Sequence, residues 1–378
     1  MVSTHAICQQ CWHASETGGC VARMSRNYPT GRTMRVHLLV LNYNGRDLLA
    51  ECLPSVLRAA RSSRHECDVT VIDNASSDDS LELLARSFPT VAVSRQPNRG
   101  LVSFNRVVSE LPGEVALLLN NDVRLREDAV DPLVTPLLHR RRNSDTCFMT
   151  APLCWRFDGK TYDGQKTAVR WRFGLVEATS LYEGHERTLH RAGPTASAGA
   201  ALAVDRAKFV ELGGFDPLYL PGRLEDLDFA YRGFQAGYQA RYVPESVAYH
   251  VGAATFAAVY GDEGCDHLAL RNTLLFQWKN LRSAEFRARQ IAGLSLRLLR
   301  DLWRAPRLPQ AMRFATWRAW REARTVWRTH DNSASLPEHD IAREREFFRR
   351  HHPRAIDRLT VERRPHALVP ASLERAAA

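Results

Sequence analysis

The chain has 378 residues, 44% of them hydrophobic and 25% charged, which is ordinary globular composition with enough length for one large domain or two smaller ones. No apolar run reaches the roughly 18–20 residues needed to span a bilayer, the start lacks the pattern of a secretory signal, and the eight scattered cysteines frame no disulfide scaffold, so a reducing cytoplasm is expected. The net charge of +10 is concentrated: residues 281–330 hold twelve arginines, no lysine and only Glu285, Asp301 and Glu322 as acids, a local +9 that asks for an anionic partner near that segment.

Residues 1–33 show no period and are expected to form a disordered extension. Cys8, Cys11, Cys20 and His13 match no strong zinc spacing, and Met24 or Met34 is a candidate natural start. From Val36 the pattern alternates. "VHLLVLN" reads as a buried strand and "DLLAECLPSVLRAAR" as an amphipathic helix. "DVTVIDN" is a strand, and "SDDSLELLARSF" a helix capped by Ser77 or Asp78. "TVAVSRQ", "GLVSFNRVVSEL" and "VALLLNND" read as strand, helix and strand. Such alternation implies βαβ units and a mainly parallel, Rossmann-like sheet flanked by helices.

Residues 145–200 are less regular. "AVDRAKFVELGGFD" reads as a helix closed by Gly213–Gly214, and "LEDLDFAYRGFQAG" as a helix with an acidic first turn. "ARYVPESVAYHVG" reads as two short strands, and helix is expected from Asp266 onward. The domain expectation is therefore 1–33 extension, 34–280 catalytic α/β domain, and 281–378 Arg/Trp-rich helical region.

Open parallel sheets bind ligands beyond the carboxyl ends of their strands. The clusters Asn42–Asn44, Asp73–Asn74 and Asn120–Asp122 all fall at such ends. Asp73 there can accept a hydrogen bond from an imide N–H of the kind uracil and thymine present, although a turn-capping aspartate would look the same. Asp122 is a natural oxygen ligand for Mg²⁺ or Mn²⁺, with Asn120 and Asn121 free to orient waters or ribose hydroxyls. Glu225, Asp226 and Asp228 share one helical turn beside Arg232. Three crowded carboxylates should differ in acidity, so one of them can serve as a general base, although acids also gather at helix N-termini for the dipole. His250 closes "SVAYHVG", either as a structural histidine or as a second metal ligand.

Together "VLNYNG", "VIDNASSDDS", "NRG", "LLNNDV", "GGFD", "EDLDFAYRG", "YH" and "RNTLLFQWKN" resemble, in order and spacing, the family-2 glycosyltransferases, closest to rhamnosyl- and galactofuranosyltransferase-like members. The resemblance spans about Val36 to Asn280 and implies an inverting enzyme with an A-type fold. It implies that Asp73 holds a pyrimidine base, that Asn42 and Tyr43 line the nucleotide site, and that Asn98 and Gly100 let backbone approach the nucleotide. It places Asp122 and His250 on a divalent cation, Asp226 as base flanked by Glu225, and Gly199 and Ala200 along donor sugar or acceptor. Arg271 and Asn272 match a family segment of unassigned role. Two departures stand out: the glycines expected after "NRG" are replaced by "LVSFN", and the metal triplet "NND" has a single carboxylate.

The expected reaction moves a sugar from a UDP- or dTDP-sugar to a hydroxyl on a glycan or lipid-linked glycan, as in cell-wall or polysaccharide biosynthesis. The alternatives are a weak or inactive nucleotide-sugar binder and a sugar-nucleotide nucleotidyltransferase. "NYNGRDLL" offers little of the glycine-rich basic loop that the latter needs, and no G-x-G-x-x-G supports a dinucleotide enzyme.

In the tail, Ile291, Leu294, Leu298, Leu299 and Leu302 fall on one helix side, with Arg289, Arg297, Arg300 and Arg304 opposite. Trp317, Trp320 and Trp327 follow among arginines. Two readings stand. One is peripheral binding of residues 286–328 to an anionic membrane, such as the inner face of the cytoplasmic membrane. The other is apolar packing on the catalytic domain with a solvated basic face. No nucleic-acid module accompanies the charge.

Overall fold

The computed structural model describes residues 33–138, 146–252, 254–307, 314–330 and 339–356. The N-terminal cysteine cluster lies outside them. In chain order come β1 (Arg35–Asn42), α1 (Arg46–Ser62), β2 (Glu66–Asp73), α2 (Ser80–Ser87), β3 (Ala92–Arg95), α3 (Ser103–Glu110) and β4 (Val115–Asn120). These four strands pair in parallel, in the order β3-β2-β1-β4. Their near-continuous apolar runs reflect burial on both faces. In β1, Val36, Leu38 and Val40 pack with Leu49, Leu53 and Val56 of α1. Leu39 points the other way, into a second core with Phe104 and Val107 of α3.

The second half follows as β5 (Val123–Leu125), α4 (Val130–Leu138), β6 (Cys147–Arg156), β7 (Tyr162–Gly164), β8 (Ala168–Arg172), β9 (Leu175–Thr179), β10 (Gly193–Pro194), β11 (Ala201–Asp205), α5 (Arg206–Glu211), α6 (Glu225–Gln235) and β12 (Gln239–His250). β11 enters antiparallel between β4 and β6, and β12 runs parallel to β6 at the far side of the sheet. The parallel pattern read from the first half thus gives way to a mixed sheet, and the whole is the A-type fold. β8 and β9 form a separate hairpin.

Three local expectations are corrected. The segment read as one helix at "AVDRAKFVELGGFD" is the end of β11 followed by α5, because the Asp205 side chain accepts from the Lys208 N–H and caps the helix there. α2 starts after Asp79, not Ser77 or Asp78: the Asp78 carboxylate instead accepts the backbone N–H groups of Arg46 and Ser80. The two short strands around Pro244 are one strand, β12, with a register break between Val243 and Val247 that accommodates the proline.

The remaining helices are α7 (Ala254–Asn280, kinked at Gly261), α8 (Ala284–Arg304), α9 (Ala315–Thr329) and α10 (Ile341–Arg350). They share a third core with α6 and the β8–β9 hairpin, through Tyr231, Leu275, Phe276, Phe286, Ala323 and Phe347. Among the described residues no helix is long and apolar enough to cross a membrane.

Candidate active site

The carboxyl ends of β1, β2 and β4 are neighbours in the sheet. Asn42 pairs with Asp73 in register, and Leu41 with Asn120. The sequence-predicted polar clusters therefore meet at one edge. Asn42 is fully buried and bridges them: its Oδ1 accepts from Asn121 Nδ2 at 2.8 Å and its Nδ2 donates to Ser76 Oγ at 3.1 Å. Gly45 is required beside this pair, since a Cβ there would come within 1.9 Å of Asn121 Nδ2. Asn121 thus holds the strand ends together, while Asn120 and Tyr43 are only half-buried at the rim.

Asp73 is buried. One carboxylate oxygen accepts the Ser76 N–H at 3.3 Å, and the other, Oδ1, has no partner. Asn74 is alike: its amide donates to the Gly100 carbonyl while its Oδ1 is unpaired. Buried polar atoms without partners cost free energy unless a ligand completes them. The Asn98 side chain accepts from the Gly100 N–H and lies exposed.

Asp122 follows β4, and β12 delivers His250 to it, because His250 pairs with Val123. His250 Nε2 lies 3.3 Å from Asp122 Oδ2. Asp122 Oδ1 and His250 Nε2 are both buried without a hydrogen-bond partner. Behind the ring, His250 Nδ1 meets Asp163 Oδ2 at 2.7 Å, and Asp163 is itself held by Arg156 at 2.6 Å. Burial pulls the imidazole toward its neutral form, but Asp122 and Asp163 together outweigh this and raise it to about 9.

A cation fits this pair by the chemistry of its donors: the buried Asp122 Oδ1 and His250 Nε2 both lack a hydrogen-bond partner, the two side chains approach to 3.3 Å through Oδ2, and a carboxylate fixes the opposite ring nitrogen. Cys154 also lies near Asp163 and His250. Burial, then the Asp163 and Asp122 charges, push its thiol well above the usual range in the absence of a metal.

The acids of α6 come from the other side. Arg223 and Leu224 both adopt positive φ, 83° and 70°, an unusual double turn that leads directly into Glu225 and Asp226. Asn272 on α7 holds the turn, its Nδ2 within 2.8–2.9 Å of the carbonyl oxygens of Tyr219, Gly222 and Arg223. Arg271 donates to the Leu220 carbonyl and to Glu322. The segment without an assigned role is a splint for the acidic turn.

Asp226 Oδ2 accepts from Ser197 Oγ at 2.9 Å, and Oδ1 accepts the Leu227 N–H. Gly199 lies against that carboxylate, with room for a Cβ only at 3.5 Å from Oδ2. Its N–H donates to Gln165 Oε1, and the Ala200 carbonyl accepts the Asn120 N–H at 3.0 Å. Asp226 thus lies against Gly199, and the next residue, Ala200, bonds Asn120, two positions before Asp122 in the chain. Sequence reasoning missed Asp163, Gln165 and Ser197, which lie in the irregular stretch where no motif marks them.

The three acids of α6 do differ in acidity. Asp228 is fully buried; burial alone would raise it, but Lys279 and Arg232 hold its carboxyl well below the usual range. Burial raises Asp226. Burial and the Asp226 charge push Glu225 to about 8, so it is protonated at neutral pH. Its folded value exceeds the ordinary 4.5, so the native state holds the extra proton between pH 4.5 and 8 and loses stability as pH rises across that window. Glu225→Gln should therefore match the parent near pH 4.5 and exceed it by about 1–3 kcal/mol at pH 8 in urea unfolding. Parallel pH profiles for the two proteins would contradict this.

With the geometry in place, comparison with known proteins says what the chain is similar to. Residues 38–190 match the model of glycosyl transferase family 2. The resemblance carried by the motifs is borne out, and the matched span includes Asp73, Asp122 and Asp163 but ends before Asp226 and His250. The chain is 26% identical over 246 residues to N-acetylgalactosaminyltransferase 7 of Drosophila melanogaster, covering 60% of this chain and 40% of that relative. It thus spans well under half the length of the curated relative it matches.

A crystal structure of GalNAc-T7 with UDP, GalNAc and Mn²⁺ superposes with a TM-score of 0.51 at 19% identity, covering 85% of this chain and 55% of that one. This likeness supports the A-type fold. A mannosyltransferase from Pyrobaculum calidifontis in complex with GDP-Man and Mn²⁺ aligns at TM-score 0.46 and 17% identity, over 81% of this chain and 77% of that one.

Proposed function

We propose that this family-2 glycosyltransferase moves a sugar from a UDP- or dTDP-sugar to a hydroxyl on a glycan or lipid-linked glycan, with inversion at the anomeric carbon. The observation that carries the reading is the pair of orphaned atoms on Asp122 and His250, with Gly199 against Asp226 and its neighbour Ala200 bonded to Asn120. Asp73 Oδ1, unpaired and buried, suits the imide N–H of uracil or thymine. The N-acetylgalactosaminyltransferase relative supports a hexosyl or N-acetylhexosaminyl donor.

Asp226 takes the acceptor proton as the hydroxyl oxygen attacks the anomeric carbon from the face opposite the diphosphate. Ser197 orients its carboxylate, and burial raises its basicity toward working pH. Glu225, protonated at neutral pH, does not compete for the proton. Asp122 and His250 would hold the cation, with Asp163 fixing the ring. A divalent cation bound there supplies positive charge to the departing diphosphate. An imidazole ligand favours Mn²⁺ over the oxygen-seeking Mg²⁺.

Calorimetric titration tests this. UDP or dTDP should bind with Mn²⁺ and much more weakly without it. Asp163→Asn should lower the Mn²⁺-dependent affinity by about 10–100-fold, because the ring loses its orienting acceptor. Equal binding with and without the cation would overturn the metal assignment.

A further inference from the structure

The geometry points to the outward face of α8 as a docking surface for an anionic phospholipid bilayer. The sequence left open which side of this helix meets the protein, and the structure decides it. The inward side carries Phe286, Gly293 and Asp301, all buried, with Arg297 half-buried among them. Arg297 is not on a solvated basic face: it donates to the backbone carbonyls of Phe173 and Arg172 at 3.0 and 3.1 Å. Asp301 accepts the Thr316 N–H at 2.7 Å and so fixes the start of α9.

Gly293 touches Gly174 at the tip of the β8–β9 hairpin, and a Cβ on Gly293 would come within 2.2 Å of the Gly174 Cα. Only the small face of α8 can seat this closely. The helix is therefore locked by Phe286, the glycine contact and polar bonds, and five of its large apolar side chains are left turned outward.

Those side chains are Ile291, Leu296, Leu299, Leu302 and Trp303, exposed from 54% at Leu296 to 67% at Ile291. Five large apolar groups within thirteen residues make a patch that a surface facing only water would not keep. Arg287, Arg289, Arg300 and Arg304 are exposed along its borders. Of the two acids in α8, Asp301 is buried and Glu285 is engaged by Arg289 at 2.7 Å. Next to it, α9 exposes Arg318, Arg321, Arg324 and Arg328, and Trp317 is 47% exposed.

An apolar stripe with tryptophan and arginine borders matches the layering of an anionic bilayer surface, where acyl chains take the stripe and phosphates take the guanidinium groups. A second copy fits poorly. A two-fold pairing would set the same arginines against each other.

The experiment is flotation of the full chain with phosphatidylcholine vesicles containing roughly one-third phosphatidylglycerol. The parent should float with these vesicles, and far less with phosphatidylcholine alone. The double variant Leu299→Glu, Leu302→Glu should partition at least about tenfold less, with its near-UV circular dichroism unchanged because both positions face solvent. Trp303→Phe should reduce the blue shift that vesicles induce in the fluorescence, leaving the part carried by Trp317.

A parent that stays unbound, or a double variant that floats equally well, overturns the inference. So does a parent dimer that the double variant makes monomeric, which would assign the face to self-association. Flotation reads this surface without turnover, so its failure leaves the transferase reading to its own test.

Discussion

Asp226→Asn should abolish glycosyl transfer and leave nucleotide binding within about twofold of the parent. Asparagine keeps the shape of the side chain, so the Leu227 N–H keeps an acceptor and Ser197 keeps a neighbour that can bond it. What is lost is the capacity to take a proton. General base catalysis contributes about 10²–10⁴-fold, so kcat should fall by roughly 10³. In the proposed site UDP would be held by the strand ends of β1, β2 and β4 and Mn²⁺ by Asp122 and His250, none of which hydrogen-bonds Asp226. Turnover of the purified variant near the parent rate, read by released nucleotide, would refute the base assignment. Loss of both binding and turnover would show instead that the acidic turn had collapsed.

Asp228→Ala should destabilise the protein by about 3–5 kcal/mol in urea unfolding at pH 7. Asp228 is two residues from the proposed base yet faces the opposite way, into a closed network. Its carboxylate accepts from Tyr219 at 2.8 Å, Arg232 at 2.7 Å, Lys279 at 2.8 Å and Asn280 at 2.7 Å. Removing it leaves Lys279 with Asp216 alone and Arg232 with only carbonyl acceptors. Uncompensated buried charge is what makes such a loss large.

The pH dependence carries the same signature. Asp228 is depressed when folded, so its stabilisation is present above the ordinary carboxylate range and is lost as pH falls through and below it. The parent should lose that advantage in acid, and the gap between parent and variant should narrow there. A loss under about 1 kcal/mol at pH 7 would contradict the network's role.

How much of this was legible in the chain depends on the range of the interaction. Parallel strands end at a common edge, so the strand-final residues Asn42, Asp73 and Asn120–Asp122 could be grouped from local periodicity alone. The acidic turn at Glu225–Asp228 was visible as a cluster, and its unequal acidities followed from crowding. Which acid does what came only from the family resemblance and not from local pattern, because Lys279 and Ser197 reach the turn from distant stretches. Asp163 was invisible for the same reason: it acts through β7 pairing with β6 and through His250 at the end of β12.

The tail was the opposite case. Helical spacing revealed two faces of α8 but not their orientation, which the meeting of Gly174 with Gly293 fixes. Local rules likewise could not see that Asp205 caps α5 and ends the longer helix read there.

The grip of Asn272 and Arg271 on residues 219–223 bears on how this protein can be re-engineered. The acid-bearing turn belongs mechanically to the carboxy-terminal helices, although it sits far from them in sequence. A chimaera that grafts a foreign acceptor module at Asn280 would cut through the core shared by Tyr231, Phe286 and Phe347 and slacken the turn. An exchange confined to the first parallel half, ending at α4, keeps anchor and anchored part from one parent, and is the junction at which donor preference could be transplanted.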